Sequence, residues 1–274
     1  MKPLASLELD EARGIRGLLF DLDDTFLTHG VLTREAYDAL WSMKDAGLRL
    51  VAVTGRPSGW GEVVVRQWPI DAAVTENGAV VVVRDGRGIQ KREACDETER
   101  RSRRMRLARL VEEVRGVVPE ARLSDDVDAR RSDVTWDIGE RVRMPEDRVA
   151  LIVQRIRAAG ARTTQSSVHL HATFDVDDKA SGAIGYLVEV FGEDAGAALT
   201  RYAFVGDSGN DAACFSAFRT TVGVANVAGY VGRMPVPPRY VTTRAMGEGF
   251  AELAAFLVEV RRARDRRPGH KIVS

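Results

Sequence analysis

Ile15-Arg16-Gly17-Leu18-Leu19-Phe20-Asp21-Leu22-Asp23-Asp24-Thr25 is the stretch whose reading decides the fold. Its first six residues form a short apolar run, which reads as a strand buried on both faces, the parallel-sheet pattern. The acidic cluster follows without a break. Ligands of open α/β sheets bind outside the carboxyl ends of the strands. Three carboxylates at such an end repel one another unless a cation or strong hydrogen bonds hold them. An acidic turn after a strand is also common on any surface, so this stretch alone leaves both readings open.

Two further strand ends work outward from the first. Leu48 to Val53 is a second apolar run, stopping at Thr54-Gly55-Arg56, and Tyr202 to Val205 is a third, stopping at Gly206-Asp207-Ser208-Gly209-Asn210-Asp211. Each ends in a hydroxyl or carboxylate beside a glycine, which lets the backbone turn sharply and approach a ligand. Between them Asp178-Lys179-Ala180-Ser181-Gly182 opens an amphipathic helix carrying Ile184, Leu187, Val188 and Phe191. Taken singly these residues read differently: Thr54 and Asp211 as helix caps, Lys179 as a solvated lysine. A lone cation at a helix N-terminus opposes the dipole, however, so an anionic neighbour is expected there.

With DLDDT, the Thr of VTGR, the Lys of DDKASG and GDSGND present in that order, the chain resembles the haloacid dehalogenase superfamily of phosphotransferases from about Gly14 to about Phe256. A carboxylate can attack phosphorus to form an aspartyl-phosphate, and a second carboxyl can protonate the leaving oxygen. Spacing alone does not assign these tasks. The resemblance implies Asp21 as nucleophile and Asp23 as acid/base, with Thr54 and Lys179 binding the phosphoryl oxygens. It also implies a metal touching Asp21, the backbone carbonyl of Asp23, and Asp207, with Asp211 in the outer shell or reached through water. Hard oxygen ligands fit Mg²⁺ better than zinc, and no His/Cys cluster competes. Arg56, Asn77 and Asn210, beside these motifs, complete the substrate contacts expected of the core.

The 274 residues suffice for one large α/β unit or two modest domains. Forty basic residues balance forty acidic ones, so no net field favours nucleic acid or an anionic membrane. The basic tail Arg261 to Arg267 reads as a solvated helix end with a frayed terminus. Cys95 and Cys214 fit neither a disulfide framework nor a CxxC metal site. The N-terminus has acidic residues where a signal peptide needs an apolar core, and no segment approaches transmembrane length. A cytoplasmic protein, monomer or homodimer, is expected.

From Ile15 to about Arg84 strand and helix alternate, which implies a parallel sheet with right-handed crossovers. The runs Ala79–Val83 and Ile89–Arg92 flank a glycine-rich loop and read as a hairpin. The stretch up to Phe174 changes character. It has a charged helix from Glu97 to Val114 with Met105, Leu107, Leu110, Val111 and Val114 as apolar positions. Strands near Ala121–Ser124 and Asp133–Ile138 follow, then a helix opened by Pro145, then strands at Ala161–Gln165 and Ser167–Phe174. That is helix-strand-strand twice over. The fold expected is therefore α/β: a Rossmann-like parallel-sheet core (1–85 and 175–274) with an inserted α+β domain (86–174). In the superfamily this insertion looks like the open-faced cap of subfamily IIB.

If one face of the cap sheet packs on its helices, alternation puts Val168, Leu170 and Ala172, with Val134 and Trp136, on that face. His169, His171 and Thr173, with Arg131, Asp133 and Thr135, then face the catalytic aspartates. Arg131, His169 and His171 are candidate substrate contacts; the histidines also read as ordinary residues of a half-buried strand, and a His-x-His metal site lacks a third ligand. The expected function is a Mg²⁺-dependent phosphomonoester hydrolase acting on a small phosphorylated metabolite, a sugar phosphate. A phosphosugar mutase is the alternative enzyme, although its bisphosphate intermediate needs a strongly basic cap. Dehalogenases of the family lack the acid/base corresponding to Asp23. A non-catalytic phosphometabolite sensor requires degenerate motifs, and none is degenerate here.

Overall fold

A computed structural model describes residues 1–166 and 168–265. Ser167, the expected start of one cap strand, and residues 266–267 of the basic tail lie outside the described residues. The strands are β1 (Lys2–Pro3), β2 (Gly17–Phe20), β3 (Arg49–Val53), β4 (Ala72–Thr75), β5 (Val80–Asp85), β6 (Gly88–Glu93), β7 (Arg122–Leu123), β8 (Asp133–Asp137), β9 (Arg162–Gln165), β10 (His169–Thr173), β11 (Tyr202–Gly206), β12 (Thr220–Gly223) and β13 (Tyr240–Val241). The helices are α1 (Leu9–Gly14), α2 (Arg34–Asp45), α3 (Ser58–Gln67), α4 (Glu97–Val117), α5 (Glu146–Ala158), α6 (Lys179–Phe191), α7 (Ala195–Arg201), α8 (Ala212–Ala217) and α9 (Met246–Asp265).

Nine strands form the core sheet in the order β1-β13-β12-β11-β2-β3-β4-β5-β6, parallel from β1 through β4 and antiparallel across the β5–β6 hairpin. The period of two along each strand sends alternate side chains to opposite layers. Leu18 and Phe20 join α2, α3 and α9 on one face, where Leu40, Val64 and Phe250 are buried. Leu19 joins α6, α7 and α8 on the other, where Ala183, Leu187, Ala198 and Phe215 are buried. Both faces covered is the reason the strands read as continuous apolar runs.

The inserted unit is a four-stranded antiparallel sheet, β7-β8-β10-β9, with α4 and α5 on one face. Val134, Trp136, Leu170 and Ala172 pack there against Leu107, Leu110, Ile152 and Ile156. The expected boundary at residue 86 cuts through a hairpin: β6 pairs along its whole length with β5 in the core sheet, so the insertion leaves that sheet only after Glu93. Two expected core positions also lie outside. Met105 is 56% exposed, because Leu107, Leu110 and Val114 form the buried stripe and a residue two positions before that stripe faces away. Val188 is exposed for the same reason, one step round from Leu187. Among the described residues no helix is long and apolar enough to cross a membrane.

Two glycines let α6 reach the site. Gly78 has φ +108°, and a Cβ there would lie 2.0 Å from the Asp178 carbonyl oxygen; a Cβ on Gly182 would lie 2.3 Å from the Gly78 carbonyl oxygen. The turn after β4 and the first turn of α6 therefore touch backbone to backbone. Gly182→Ala is expected to destabilise the protein by about 1–3 kcal/mol, the usual cost of overpacking, lowering the urea midpoint at unchanged slope. A variant as stable as the parent would mean that the contact yields freely.

Candidate active site

The parallel strands end in a common cleft of about 490 Å³, walled below by β2, β3 and β11 loops and above by the cap. Asp21, Asp23, Arg56, Asp207, Asn210, His169 and His171 all line it. After β2 the chain enters one wide helical turn with Asp24 in the left-handed region (φ 54°), which turns Asp21 into the sheet end and Asp23 outward. Asp21 is buried and Asp23 is half exposed.

Lys179 is the centre of the buried layer. Its Nζ donates to Asp21 Oδ1 at 2.6 Å, to Asp211 Oδ1 at 2.7 Å and to Asn210 Oδ1 at 3.1 Å. The Asp178 side chain caps α6 by accepting from the Ser181 amide, and Ser181 Oγ accepts in return from the Asp178 amide. This box fixes where Lys179 begins the helix. Asp211 is not an ordinary cap: its Oδ2 accepts from the Asp207 and Ser208 amides, and a side chain on Gly206 would collide with it at 2.4 Å. Burial works against the Lys179 ammonium, but Asp21 and Asp211 outweigh it and hold its pKa above the ordinary lysine value.

Carboxylate oxygens of Asp21, Asp207 and Asp211 lie within 4.8 Å of one another, all buried. Burial pushes Asp21 up to about 7, against the pull of Lys179 and with the help of Asp211 and Asp23. Burial together with Asp211 and Asp21 pushes Asp207 up to about 9. Such a donor set, all hard oxygen with one ammonium already spent on two of its members, fits a small divalent cation. Asp21 and Asp207 are the residues that could hold it. Asp211, engaged by three protein donors, would support from behind.

Asp207 is steadied from two sides. Thr25 Oγ1 donates to Oδ1 at 3.4 Å, and Asn226 Nδ2 donates to Oδ2 at 3.1 Å while also donating to the Asp24 carbonyl at 2.9 Å. Asn226 escaped the sequence reading because the strand end it follows, Thr221-Val222-Gly223-Val224, carries no hydroxyl or carboxylate beside its glycine. Thr54 is buried, and its hydroxyl accepts from the Arg56 amide at 3.1 Å. Arg56 grips Asp23, with Nε 3.0 Å from both carboxylate oxygens, and stacks 4.0 Å over the Trp60 ring. Asn77 stands behind this loop rather than in the cleft: its amide donates to the Thr54 carbonyl, and its side chain packs against Gly55.

The cap sits on the core through residues that no local pattern announced. Glu76, buried in the turn after β4, accepts from the amides of Ser58, Arg131 and Ser132 and from the Ser132 hydroxyl. Its burial and the neighbouring Asp133 hold its pKa above the ordinary value. Arg130 Nη1 donates to the Gly55 carbonyl at 3.0 Å and to both oxygens of Asp133 at 3.1 Å. Asp133 in turn holds His171 Nδ1 at 2.8 Å. His169 bonds Glu140 at 2.8 Å. Arg131 does not face the cleft. Its guanidinium pairs with Glu93 and Glu97 at the exit from the core sheet, because Arg131 precedes β8 and escapes the alternation that places Asp133 and Thr135.

Residues 18–101 match the family of haloacid dehalogenase-like hydrolases. That match spans less than a third of the chain. No curated protein matches it by sequence. Solved structures align over nearly the whole chain. A Thermoplasma acidophilum protein has 18% identity, a TM-score of 0.70, and covers 90% of this chain and 99% of its own. A Bacteroides thetaiotaomicron phosphatase of the superfamily has 18% identity and a TM-score of 0.60, over 95% and 98%. The sucrose-phosphatase of Synechocystis sp. PCC6803, solved with sucrose and phosphate, has 14% identity and a TM-score of 0.62, over 89% and 98%. At such identities the likeness is one of fold, core and cap together.

The raised carboxyls of this site predict a pH signature. A carboxyl whose folded pKa is raised favours folding fully below its unfolded value and loses that contribution as pH rises through the folded one. For Asp207 the window runs from the ordinary 3.8 to about 9. In chelator, Asp207→Asn is therefore expected to gain stability relative to the parent progressively across that window, read by urea denaturation at several pH values. A difference that is independent of pH would show that Asp207 titrates normally.

Proposed function

We propose that the chain is a phosphatase that hydrolyses phosphomonoesters of small metabolites, sugar phosphates foremost, through an aspartyl-phosphate formed on Asp21 with Mg²⁺ as cofactor. The observation that carries this reading is the meeting of Asp21, Lys179 and Asp207 at one sheet end, with a second carboxyl, Asp23, facing the same cleft. The sucrose-phosphatase neighbour supports the substrate class by analogy of fold.

Asp21 attacks phosphorus, and the bond from phosphorus to the ester oxygen breaks. Asp23 gives its proton to that oxygen as it leaves; it then takes a proton from the water that attacks the aspartyl-phosphate, which frees phosphate and regenerates Asp21. Lys179 and the backbone of the Thr54–Arg56 loop stand where charge spreads over the phosphoryl oxygens. Mg²⁺ supplies charge neutralisation between a dianionic substrate and an anionic nucleophile. His169, His171 and the cap residues beside them contact the leaving group. Arg131, paired at the hinge, has no part in this.

Asp21→Asn is expected to abolish phosphate release from an aryl phosphate while circular dichroism stays that of the parent, since the amide is nearly isosteric but not nucleophilic. Substantial turnover by the folded variant would sink the mechanism. Activity is also expected to vanish on exhaustive chelation, to return with Mg²⁺, and to return poorly with Ca²⁺, whose longer bonds and larger shell loosen in-line geometry. Full activity in chelator would remove the cation from the reading.

A further inference from the structure

Asn226 sits in the short helical turn Ala225–Gly229 after β12 and does not line the cleft. Its backbone is set beside the site. The Val224 amide donates to the Gly206 carbonyl at 3.1 Å, and the Ala225 amide donates to the Arg244 carbonyl at 3.0 Å. The side chain then joins three segments. Nδ2 donates to the Asp24 carbonyl at 2.9 Å and to Asp207 Oδ2 at 3.1 Å, while Oδ1 accepts from the Met246 amide at 3.0 Å. A carboxamide supplies two donors on one atom and an acceptor on the next. A carboxylate here would set lone pairs against Asp207 and the Asp24 carbonyl, and an apolar isostere would leave three polar groups without this partner.

Both backbone partners are strained. Asp24 has φ 54° and Met246 has φ 50°, left-handed values that persist in residues with side chains only where the surroundings hold them. Asn226 holds the first by its carbonyl and the second by its amide. The turn after β2, the first residue of α9 and the Asp207 carboxylate therefore share one side chain. The consequence falls on Asp207. Its Oδ2 is occupied by the Asn226 N–H, whereas Oδ1 has only the Thr25 hydroxyl at 3.4 Å. A carboxylate held in this way presents one oxygen to an ion rather than both. Ca²⁺ takes carboxylates through one oxygen or two, in a large and flexible shell, whereas Mg²⁺ demands a near-ideal octahedron.

We propose that Asn226 is a positioning residue for the cation site. By engaging Asp207 Oδ2 it fixes the carboxylate for ligation through one oxygen, and so sets both the affinity for Mg²⁺ and the preference for Mg²⁺ over Ca²⁺. This rests on the phosphatase reading only for the cation at Asp21 and Asp207. Groups that orient a metal ligand from behind are worth about 10–100-fold in metal affinity.

The test reads binding without substrate or turnover. Titration calorimetry with Mg²⁺ and with Ca²⁺, and Mn²⁺ electron paramagnetic resonance, compare the parent with Asn226→Leu, which keeps the size and removes all three bonds. Mg²⁺ and Mn²⁺ binding are expected to weaken by about 10–100-fold and Ca²⁺ binding by less, so that the preference narrows. Circular dichroism checks that the variant is folded, and Asn226→Ser takes its place where the leucine is not tolerated. In the parent itself, the Asn226 side-chain amide protons are expected to exchange slowly and to shift in nuclear magnetic resonance spectra when Mg²⁺ is added. Three results would each overturn the inference and leave the phosphatase reading standing: unchanged Mg²⁺ affinity in a folded variant, equal weakening of Mg²⁺ and Ca²⁺ as general loosening would give, or amide protons that ignore Mg²⁺. A parent that binds neither Mg²⁺ nor Mn²⁺ would instead remove the cation from that reading, and this inference with it.

Discussion

Everything in the site depends on keeping three buried carboxylates, Asp21, Asp207 and Asp211, within 4.8 Å of one another at the end of a sheet. Two unit charges 4 Å apart interact by about 4 kcal/mol at an effective dielectric of about 20, so the group cannot be assembled from anions alone. Lys179 resolves part of the repulsion by bonding two of the three. The remaining excess falls on Asp207, the member that Lys179 does not touch and the one whose carboxyl is pushed highest. A cation at Asp207 and Asp21 would offset that excess. The backbone follows from the same need: Gly78 and Gly182 are side-chain-free because α6 must begin close enough for a lysine on its first residue to reach the sheet end.

The cap is tied to this layer through shared loops. Glu76 and Gly55 flank the sheet end, and both bond the cap segment 130–132 directly. Arg130 then passes the connection on, from the Gly55 carbonyl to Asp133 and from Asp133 to His171. One buried chain of charge-assisted hydrogen bonds therefore runs from the Gly55 loop at the sheet end to His171 on the cap side of the cleft. Arg130, Asp133 and Glu76 are fully buried, and breaking such a network from one side leaves an uncompensated charge at a cost of about 3–5 kcal/mol. The cap side of the cleft and the sheet end are set in one register.

The sequence announced what is local. Strand ends at Asp21, Thr54 and Asp207 were legible because an apolar run followed by a polar turn, acidic at Asp21 and glycine-bearing at Thr54 and Asp207, is a pattern within ten residues, and Lys179 because its motif opens a periodic helix. Alternation placed Trp136, Leu170 and Ala172 on the helix side of the cap. It failed for Arg131, which sits before β8 begins, where the period of two has no force. The contacts of Glu76 to Ser132 and of Arg100 to Asp175 join residues 56 and 75 positions apart, and nothing in composition or period links them. The β6 boundary was missed for a related reason: a charged, half-exposed strand at a sheet edge looks like the insertion it leads into.

Asp21 and Asp23 are two residues apart, yet their surroundings divide the chemistry between them. Asp21 is buried against Lys179, and removing one partner of such a pair costs several kcal/mol, so its carboxylate is held in place. Asp23 is tied to Arg56 at the mouth, with its side chain 49% exposed, and an exposed pair of that kind holds by about 0–1 kcal/mol. Under the proposed mechanism the nucleophile needs a fixed position, whereas the acid/base must reach first the leaving oxygen and then the incoming water. The weak pair leaves Asp23 free to swing away from Arg56, and Trp60 keeps the guanidinium in place when it does. Rigid at the first aspartate and yielding at the second, the turn after β2 builds both properties from five consecutive residues.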